Sequence, residues 1–245
     1  MKNTPRNDTI DSVLKLKSTT LHQLPQIAVT ITDQEHNAAI QSLRIDVLEI
    51  RVDLFRRLDP DYVQKIVREK RKTGIPLILT VRNSKSEGGR KKISDSLKLK
   101  IFTECVPLVD ALDIELRSPL CREIILLAKR NKKSNIISFH DFKKTPPDSL
   151  LENLFKKAKA AGADVVKIAA QARSTEDVHR LLLFTLKHRH DDIITMSLGR
   201  LGSISRLVFP SAGSLLTYSY IGKPAAPGQI ALPQLREHLR FYYSQ

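Results

Sequence analysis

Apolar, β-branched segments recur eight times along the chain, and stretches with helical spacing lie between them. Strict alternation of this kind predicts a parallel sheet whose crossovers are helices. The predicted strands cover residues 26–32, 46–52, 76–81, 111–116, 135–139, 163–169, 192–197 and 215–221. Helix signals separate them, with start signals at Asp59-Pro60, Ser118-Pro119, Asp148 and Ser174 and terminating glycines at Gly74 and Gly162.

Eight β–α units of this size predict a single α/β domain, a closed (β/α)8 TIM barrel over residues 24–245. An open, doubly wound sheet is the alternative. Such sheets usually carry a glycine-rich phosphate loop after the first strand, and no Gly-x-Gly-x-x-Gly sequence follows Thr32. Residues 1–23 precede the first strand as a short N-terminal extension, which we expect to be disordered or to cap the base of the barrel.

Composition predicts a soluble, cytoplasmic protein. Hydrophobic residues make up 41% of the chain and charged residues 27%, which suits a globular domain with a sizeable core. No apolar run approaches the roughly 20 residues of a membrane span, and the N-terminus lacks the apolar region of a secretory signal. With only Cys105 and Cys121, the chain has no disulfide framework, which favours a reducing compartment.

The net charge of +15 is spread over several basic blocks near the ends of predicted helices, where cations favour the helix dipole. The blocks lie at 65–72, 129–133, 143–144, 156–159 and 187–190. Because they are scattered and only 5% of residues are aromatic, we expect a solvated surface rather than a specific nucleic-acid site. A positive field could also steer an anionic metabolite towards its site.

Polar residues gather where the predicted strands end, which is where barrel enzymes place their chemistry. Side chains alternate along a strand, so residues two apart share the barrel interior. Six consecutive strands end in polar or sulfur-bearing residues, namely Glu49 and Arg51, Arg82, Glu115 and Arg117, His140, Lys167, and Met196. The methionine is by default a packing residue, and its polarizable side chain would suit a wall against a ring-shaped ligand.

Lys167 is the most informative of these residues, because it lies inside the apolar run Asp164-Val165-Val166-Lys167-Ile168. Lysine is rarely buried without a partner or a function. Desolvation can bring its pKa towards ~7–8 and leave a nucleophilic amine, which is the preparation a Schiff-base lysine needs. His140 on the neighbouring strand would supply the acid and base chemistry.

Each of these residues also has a structural interpretation. Lys167 could be paired with an interior carboxylate, and a histidine at a strand end is commonly a hydrogen-bonded core residue. Glu49 with Arg51, and Glu115 with Arg117, could be interior ion pairs.

No metal or cofactor site is predicted. His188 and His190 have no suitable metal-ligand partners near them in sequence, and the cysteines have no metal-binding spacing. The segment 199–202 is too short for a dinucleotide fingerprint, although it could form an anion-binding turn.

At these residues the chain resembles the type I 3-dehydroquinate dehydratases (type I dehydroquinases). The resemblance runs from about Leu24 to the C-terminus. Its motifs are Glu49-Ile50-Arg51-Val52-Asp53, Glu87-Gly88-Gly89, Ser138-Phe139-His140-Asp141-Phe142, Val166-Lys167-Ile168-Ala169, Ser205-Arg206, Gly213-Ser214-Leu215-Leu216-Thr217-Tyr218 and Ala226-Pro227-Gly228-Gln229. It implies a (β/α)8 barrel, usually dimeric and without a cofactor, that converts 3-dehydroquinate into 3-dehydroshikimate in the shikimate pathway.

The resemblance also implies roles for individual residues. Lys167 would form an imine with the substrate ketone, His140 would move protons and Glu87 would pair with the histidine. The implied substrate-binding residues are Glu49 and Arg82 for ring hydroxyls, Arg206 and Gln229 for the carboxylate, and Arg51, Met196, Tyr218 and Ala226 around them.

The chain departs from the family pattern at three places. Four residues rather than three separate Arg82 from Glu87, Leu198 replaces a frequent methionine, and Ala225 replaces a serine common in the loop that closes over the substrate.

Two other functions remain open at this point. A Schiff-base aldolase on the same fold would share the lysine but cleave a carbon–carbon bond. A basic barrel protein that binds without catalysis would show salt-sensitive nucleic-acid binding and no turnover.

Overall fold

The computed structural model describes residues 24–82 and 87–243, in which nine parallel strands form one curled sheet. The predicted extension, residues 1–23, lies outside the described residues. The strands follow one another in the order β7-β6-β5-β4-β3-β2-β1-β8-β9. Their bounds are β1 Ile27–Ile31, β2 Val47–Arg51, β3 Leu77–Thr80, β4 Ala111–Glu115, β5 Ser134–Asp141, β6 Val165–Gln171, β7 Ile193–Leu198, β8 Thr217–Tyr220 and β9 Ile230–Ala231.

The ring closes between β7 and the segment that leads into β8. The amide of Leu215 donates to the carbonyl of Ile193 over 2.9 Å, and β1 pairs with β8 on the other side. The fold is therefore the predicted (β/α)8 barrel, and each of the eight predicted strands has its counterpart. The two-residue strand β9 was not predicted and pairs with β8.

Helices cover the outside of the barrel. They are α1 Asn37–Gln41, α2 Pro60–Arg71, α3 Asp95–Cys105, α4 Cys121–Arg130, α5 Asp148–Ala161, α6 Thr175–Lys187, α7 Gly199–Gly202, α8 Ser205–Val208 and α9 Leu232–Tyr243. The start of α2 is as predicted, since the Asp59 carboxylate accepts from the Tyr62 amide over 3.0 Å. The start of α4 is not, because Ser118 accepts from the Leu120 amide in a turn and the helix begins only at Cys121.

The barrel interior is layered, because residues two apart on each strand point inward. Its lower layer is apolar and holds Ala28, Val47, Ile78, Ala111, Ile136, Val165 and Ile194. Two positions further along the first six strands come the buried polar residues Thr30, Glu49, Thr80, Asp113, Ser138 and Lys167. The inward-pointing strand positions therefore form the apolar core below and a polar lining above.

Side chains tie the base of the barrel together at every second strand. Asp46, Asp110 and Asp164 each precede an even-numbered strand and accept from the amide of Ile27, Leu77 and Asn135, respectively, on the strand before it. Ser214 does the same for Thr195 over 3.0 Å. These bonds give side-chain acceptors to four amides at or near the starts of β1, β3, β5 and β7.

The basic blocks lie largely where the sequence predicted them. Arg68, Lys70 and Arg71 occupy the last turn of α2, and Lys129 and Arg130 that of α4. Of the helices in residues 24–82 and 87–243, none is long and apolar enough to cross a membrane.

Replacing Asp110 by alanine tests the bonds at the base. Its carboxylate accepts from the Leu77 amide over 2.8 Å and from Arg71 over 2.6 Å. Loss of the hydrogen bonds from the Leu77 amide and from Arg71 should lower the free energy of unfolding by about 2–3 kcal/mol, measured by urea denaturation. The exposed change Lys157→Ala is the control, and equal losses in the two variants would contradict the role of Asp110.

Candidate active site

Lys167 lies at the centre of the upper interior and is almost fully buried. Its Nζ is 3.0 Å from Glu49 Oε1 and 3.0 Å from Asp113 Oδ2. The ring of Tyr218 lies beneath it, with the nitrogen 4.1 Å from the ring centroid. The lysine is thus held between two carboxylates and an aromatic face, both of which favour a cation.

The sequence suggested that the pKa of Lys167 is lowered, and this expectation is wrong. Burial alone would lower this pKa, but the charges of Asp113 and Glu49 outweigh it and raise the pKa above its ordinary value. The free protein holds the residue as an ammonium ion. The structural alternative, pairing with interior carboxylates, is thus correct for the ligand-free protein, and the amine must lose its proton before it attacks a carbonyl.

His140 stands beside Lys167 because β5 and β6 are paired. In their register Ser138 lies opposite Lys167, and His140 follows two residues later on the same face. Burial, and then the cations Arg82 and Lys167, hold the pKa of His140 well below its ordinary value. The imidazole is consequently neutral near pH 7 and able to accept a proton.

Glu87 contacts this histidine from the loop after β3. Its Oε2 lies 3.3 Å from His140 Nδ1 and also accepts from the His140 amide over 3.1 Å. Burial raises the pKa of Glu87 to about 7, although the charge of Arg82 opposes the shift. Near neutral pH the pair can therefore exist with Glu87 either ionised or protonated.

The two arginines nearest the lysine are bonded to protein groups. Arg82 donates to Asp113 over 2.8 Å and to Ser138 over 2.7 Å. Arg51 forms a two-pronged ion pair with Asp53 at 2.8 and 2.9 Å. Both guanidinium groups line the cleft, but these bonds fix them in place.

Arg206 differs from both. It is almost completely buried, and its Nη1 donates to the sulfur of Met196 over 2.8 Å. Within the described part of the chain, its Nε and Nη2 have no hydrogen-bond partner. Burial without a counter-ion lowers its pKa to about 10. An unpaired guanidinium in a closed cleft is a strong site for a carboxylate.

The segment after β8 covers this cleft. Gln229 uses its carbonyl oxygen to accept from the amides of Ala225 and Ala226 over 2.7 and 3.1 Å. The Gly199 amide donates to the Pro227 carbonyl. The sequence allowed an anion-binding turn at residues 199–202, but this amide is already occupied. Gly228 has φ of 80° and a Cβ there would lie 2.4 Å from the Gly199 carbonyl oxygen, so only glycine permits this contact.

All the predicted site residues line one cleft at the C-terminal end of the barrel. They are Lys167, His140, Glu87, Glu49, Arg51, Arg82, Arg206, Gln229, Met196, Tyr218 and Ala226. Thr30, Gly88, Phe142 and the two departures from the family pattern, Leu198 and Ala225, line it too. Residues 83–86, which hold the insertion before Glu87, lie outside the described residues.

Sequence reasoning missed Asp113, which touches both Lys167 and Arg82. Its signal was present, because it lies two residues before Glu115 on the same face of β4. The proposed pair of Glu115 with Arg117 is wrong. Glu115 is buried against Lys98 from α3, whereas Arg117 is exposed and stacks on the Phe139 ring.

Of the two other histidines considered, His188 is surrounded by structural contacts. His188 packs against the rings of Phe155 and Phe184 and contacts Glu152 and Asp191. Among residues 24–82 and 87–243, no group of three or more His, Cys, Asp or Glu side chains is placed to hold a metal ion.

A buried lysine beside a neutral histidine, at the C-terminal mouth of a barrel, is the arrangement expected of an enzyme class that forms a covalent adduct between lysine and a carbonyl group. A family model described as Type I 3-dehydroquinase matches residues 4–245. The chain therefore belongs to the type I 3-dehydroquinase family.

Similar proteins agree with this assignment. The 3-dehydroquinate dehydratase of Methanocella arvoryzae is 36% identical over 216 residues, which are 88% of this chain and 96% of that protein. The crystal structure of the Aquifex aeolicus enzyme has a TM-score of 0.80 at 35% identity, covering 90% of this chain and all of that one. The Clostridium difficile type I enzyme, crystallised with covalently modified comenic acid, has a TM-score of 0.82 at 31% identity, covering 94% and 97%.

Replacing Arg206 by leucine should have opposite effects on stability and binding. Removing a buried cation without a counter-ion should raise the urea midpoint of the ligand-free protein. Losing its charge-assisted bonds to a carboxylate should raise KM about 10- to 100-fold. Arg82→Leu is the contrasting variant and should destabilise the protein, because it removes a cation that pairs with both Asp113 and Glu115. A loss of stability in Arg206→Leu as large as that in Arg82→Leu would contradict this interpretation.

The pH dependence of kcat/KM should report Glu87. As pH rises through about 7, Glu87 ionises and can stabilise an imidazolium forming on His140, so activity should rise over this interval. Glu87→Gln should lower kcat and remove the inflection near neutral pH. Persistence of the same inflection in the variant would assign it to another group.

Proposed function

We propose that the chain eliminates water from 3-dehydroquinate, giving 3-dehydroshikimate, through a Schiff base on Lys167. It acts as a hydro-lyase of the shikimate pathway. The observation that carries this proposal is that a buried lysine, a neutral histidine and an arginine with two unpartnered nitrogens among the described residues line a single cleft. The substrate offers a ketone for the lysine, an adjacent proton for the histidine and a carboxylate for the arginine.

The imine solves the main difficulty of the reaction. Removing a proton next to a ketone produces an enolate, which is costly without help. A protonated imine on Lys167 gives the electrons a cationic sink. The ring of Tyr218, 4.1 Å from the nitrogen, offers its negative face to that cation.

His140 moves the protons in this proposal. Its neutral ring first takes the proton beside the imine and then returns one to the departing hydroxyl group, a role typically contributing ~10²–10⁴-fold. Glu87, bonded to Nδ1, orients the ring and supports the imidazolium. Hydrolysis of the imine releases the product and restores Lys167.

The remaining residues hold the substrate. Arg206 takes the carboxylate, with the side-chain NH2 of Gln229 beside it. Glu49 now accepts from Lys167 and from Thr30, and would exchange the lysine for a ring hydroxyl once the amine has reacted. Arg82 and Arg51, fixed by their own partners, form the adjoining polar wall. The segment 222–229 closes over the ligand and keeps water from the imine.

We also propose a cytoplasmic homodimer that requires no cofactor. The free, buried cysteines fit a reducing compartment. Leu201 and Ile204 near α7, with Phe241 and Tyr242 on α9, expose apolar surface that a second copy could cover. Light scattering on the purified protein should give twice the chain mass, and a monomeric mass at micromolar concentration would rule out the dimer.

The aldolase alternative finds less support in the cleft. Arg206 is a single buried site suited to a planar carboxylate, and the family assignment points to dehydration rather than cleavage of a carbon–carbon bond.

Borohydride trapping tests the covalent step. Mixing the protein with 3-dehydroquinate and borohydride should fix a mass adduct on Lys167, located by peptide sequencing, while an ultraviolet assay detects the conjugated product. Lys70, also buried, should stay unmodified and serves as the internal control. Lys167→Ala should form no adduct and lose turnover. Near-wild-type turnover in this variant would contradict the mechanism.

A further inference from the structure

Asp113 is a fully buried carboxylate that touches the reacting nitrogen, and the roles proposed for Lys167, His140 and Glu87 do not involve it. Its Oδ2 lies 3.0 Å from Lys167 Nζ. Its Oδ1 accepts from Arg82 over 2.8 Å and from Ser138 over 2.7 Å. Both oxygens are therefore engaged by donors from three different strands or loops, which fixes the carboxylate rigidly.

Glu49, the other carboxylate at the nitrogen, has weaker anchors. It accepts from the hydroxyls of Thr30 over 2.9 Å and Thr80 over 3.3 Å, besides Lys167. Glu49 lines the cleft, whereas Asp113 is not among its lining residues. A ligand can therefore draw Glu49 away from the lysine, while Asp113 stays in place.

The charge on the nitrogen is the same before and after imine formation. An ammonium ion and a ketone give a protonated imine and one water molecule, so one positive charge enters and one remains. A fixed anion beside the nitrogen can therefore stabilise both the ammonium ion and the protonated imine, and it need not exchange a proton itself.

In the next step that charge moves. When His140 takes the proton beside the imine, the nitrogen becomes a neutral enamine and the imidazole becomes a cation. The charge of Asp113 acts on both groups, since it favours the protonated form of Lys167 and of His140. The carboxylate thus lies within reach of both positions that the charge occupies.

We propose that Asp113 is a further catalytic residue, a fixed anion that stays ionised throughout the cycle and stabilises one positive charge as it passes between the Lys167 nitrogen and the His140 ring. This rests on the proposed Schiff-base mechanism. Arg82 and Ser138 hold the carboxylate where it serves both positions. Glu49 is then free to bind substrate.

Asp113→Asn keeps the shape of the side chain and removes its charge. We expect kcat to fall about 100-fold, as when one preorganised electrostatic group is lost from an active site. Glu115→Gln is the matched control, because Glu115 lies two residues on along β4 and faces Arg82 at 3.8 Å, but pairs with Lys98 instead of Lys167.

The pH dependence of Lys167 reactivity separates this role from simple packing. Cyanate carbamylates only the neutral amine, and the modified lysine can be located by mass spectrometry. Without Asp113 the ammonium loses a counter-ion, so the midpoint of Lys167 modification should move to lower pH in Asp113→Asn. Glu115→Gln should keep the wild-type midpoint.

The proposal fails if Asp113→Asn retains the wild-type midpoint and turnover within about twofold. It also fails if Glu115→Gln shifts the midpoint equally, because the effect would then pass through Arg82. Wild-type trapping on Lys167 is measured alongside, so a failure of the Schiff-base mechanism itself is seen separately.

Asp113→Ala provides a second test should the asparagine variant not fold. Formate is a small carboxylate that can occupy the space left by the side chain, and it should restore turnover. Formamide, its neutral isostere, should not. Equal effects of the two compounds, or of neither, would overturn the assignment.

Discussion

The structure depends on keeping several charges inside the barrel, and the ion pairs around Lys167 make this possible. Each buried ion costs several kcal/mol unless it is paired and hydrogen-bonded. Glu49 and Asp113 compensate Lys167, and Asp113 is shared with Arg82. The network continues outward through Glu115 to Lys98 on α3. A change at any member would take a charged partner from at least one neighbour.

Arg206 is the exception to this pairing of buried charges. The other buried cations of the cleft have carboxylate partners, while this guanidinium has only the sulfur of Met196 and two unused nitrogens among the described residues. Its lowered pKa records the cost of that burial. In the proposed reaction, the substrate carboxylate supplies the missing partner of Arg206.

The fold followed from the sequence because its signals are local. Eight apolar segments and their helix signals predicted the strands to within about two residues at most ends, and the two-residue period predicted which side chains share the interior. From that period, Glu49, His140 and Lys167 were predicted to share one face of the barrel interior. The same period would have pointed to Asp113.

The partners of those residues could not be predicted, because they come from distant parts of the chain. Lys167 meets Glu49 across 118 positions and Asp113 across 54. The expected direction of the lysine pKa was wrong for this reason, since it counted burial without the two carboxylates. Glu115 was likewise assigned to its sequence neighbour Arg117, although Lys98 on α3 is its partner in space.

The central claim is that Lys167 is stored as a cation between its two carboxylates. Nuclear magnetic resonance of the protein labelled at its lysine side chains measures this directly, with Lys167→Ala used to assign the signal. The account predicts that Lys167 titrates at higher pH than an exposed lysine such as Lys157. A titration near neutral pH would contradict it, and would mean that desolvation, rather than the ion pairs with Glu49 and Asp113, governs the amine.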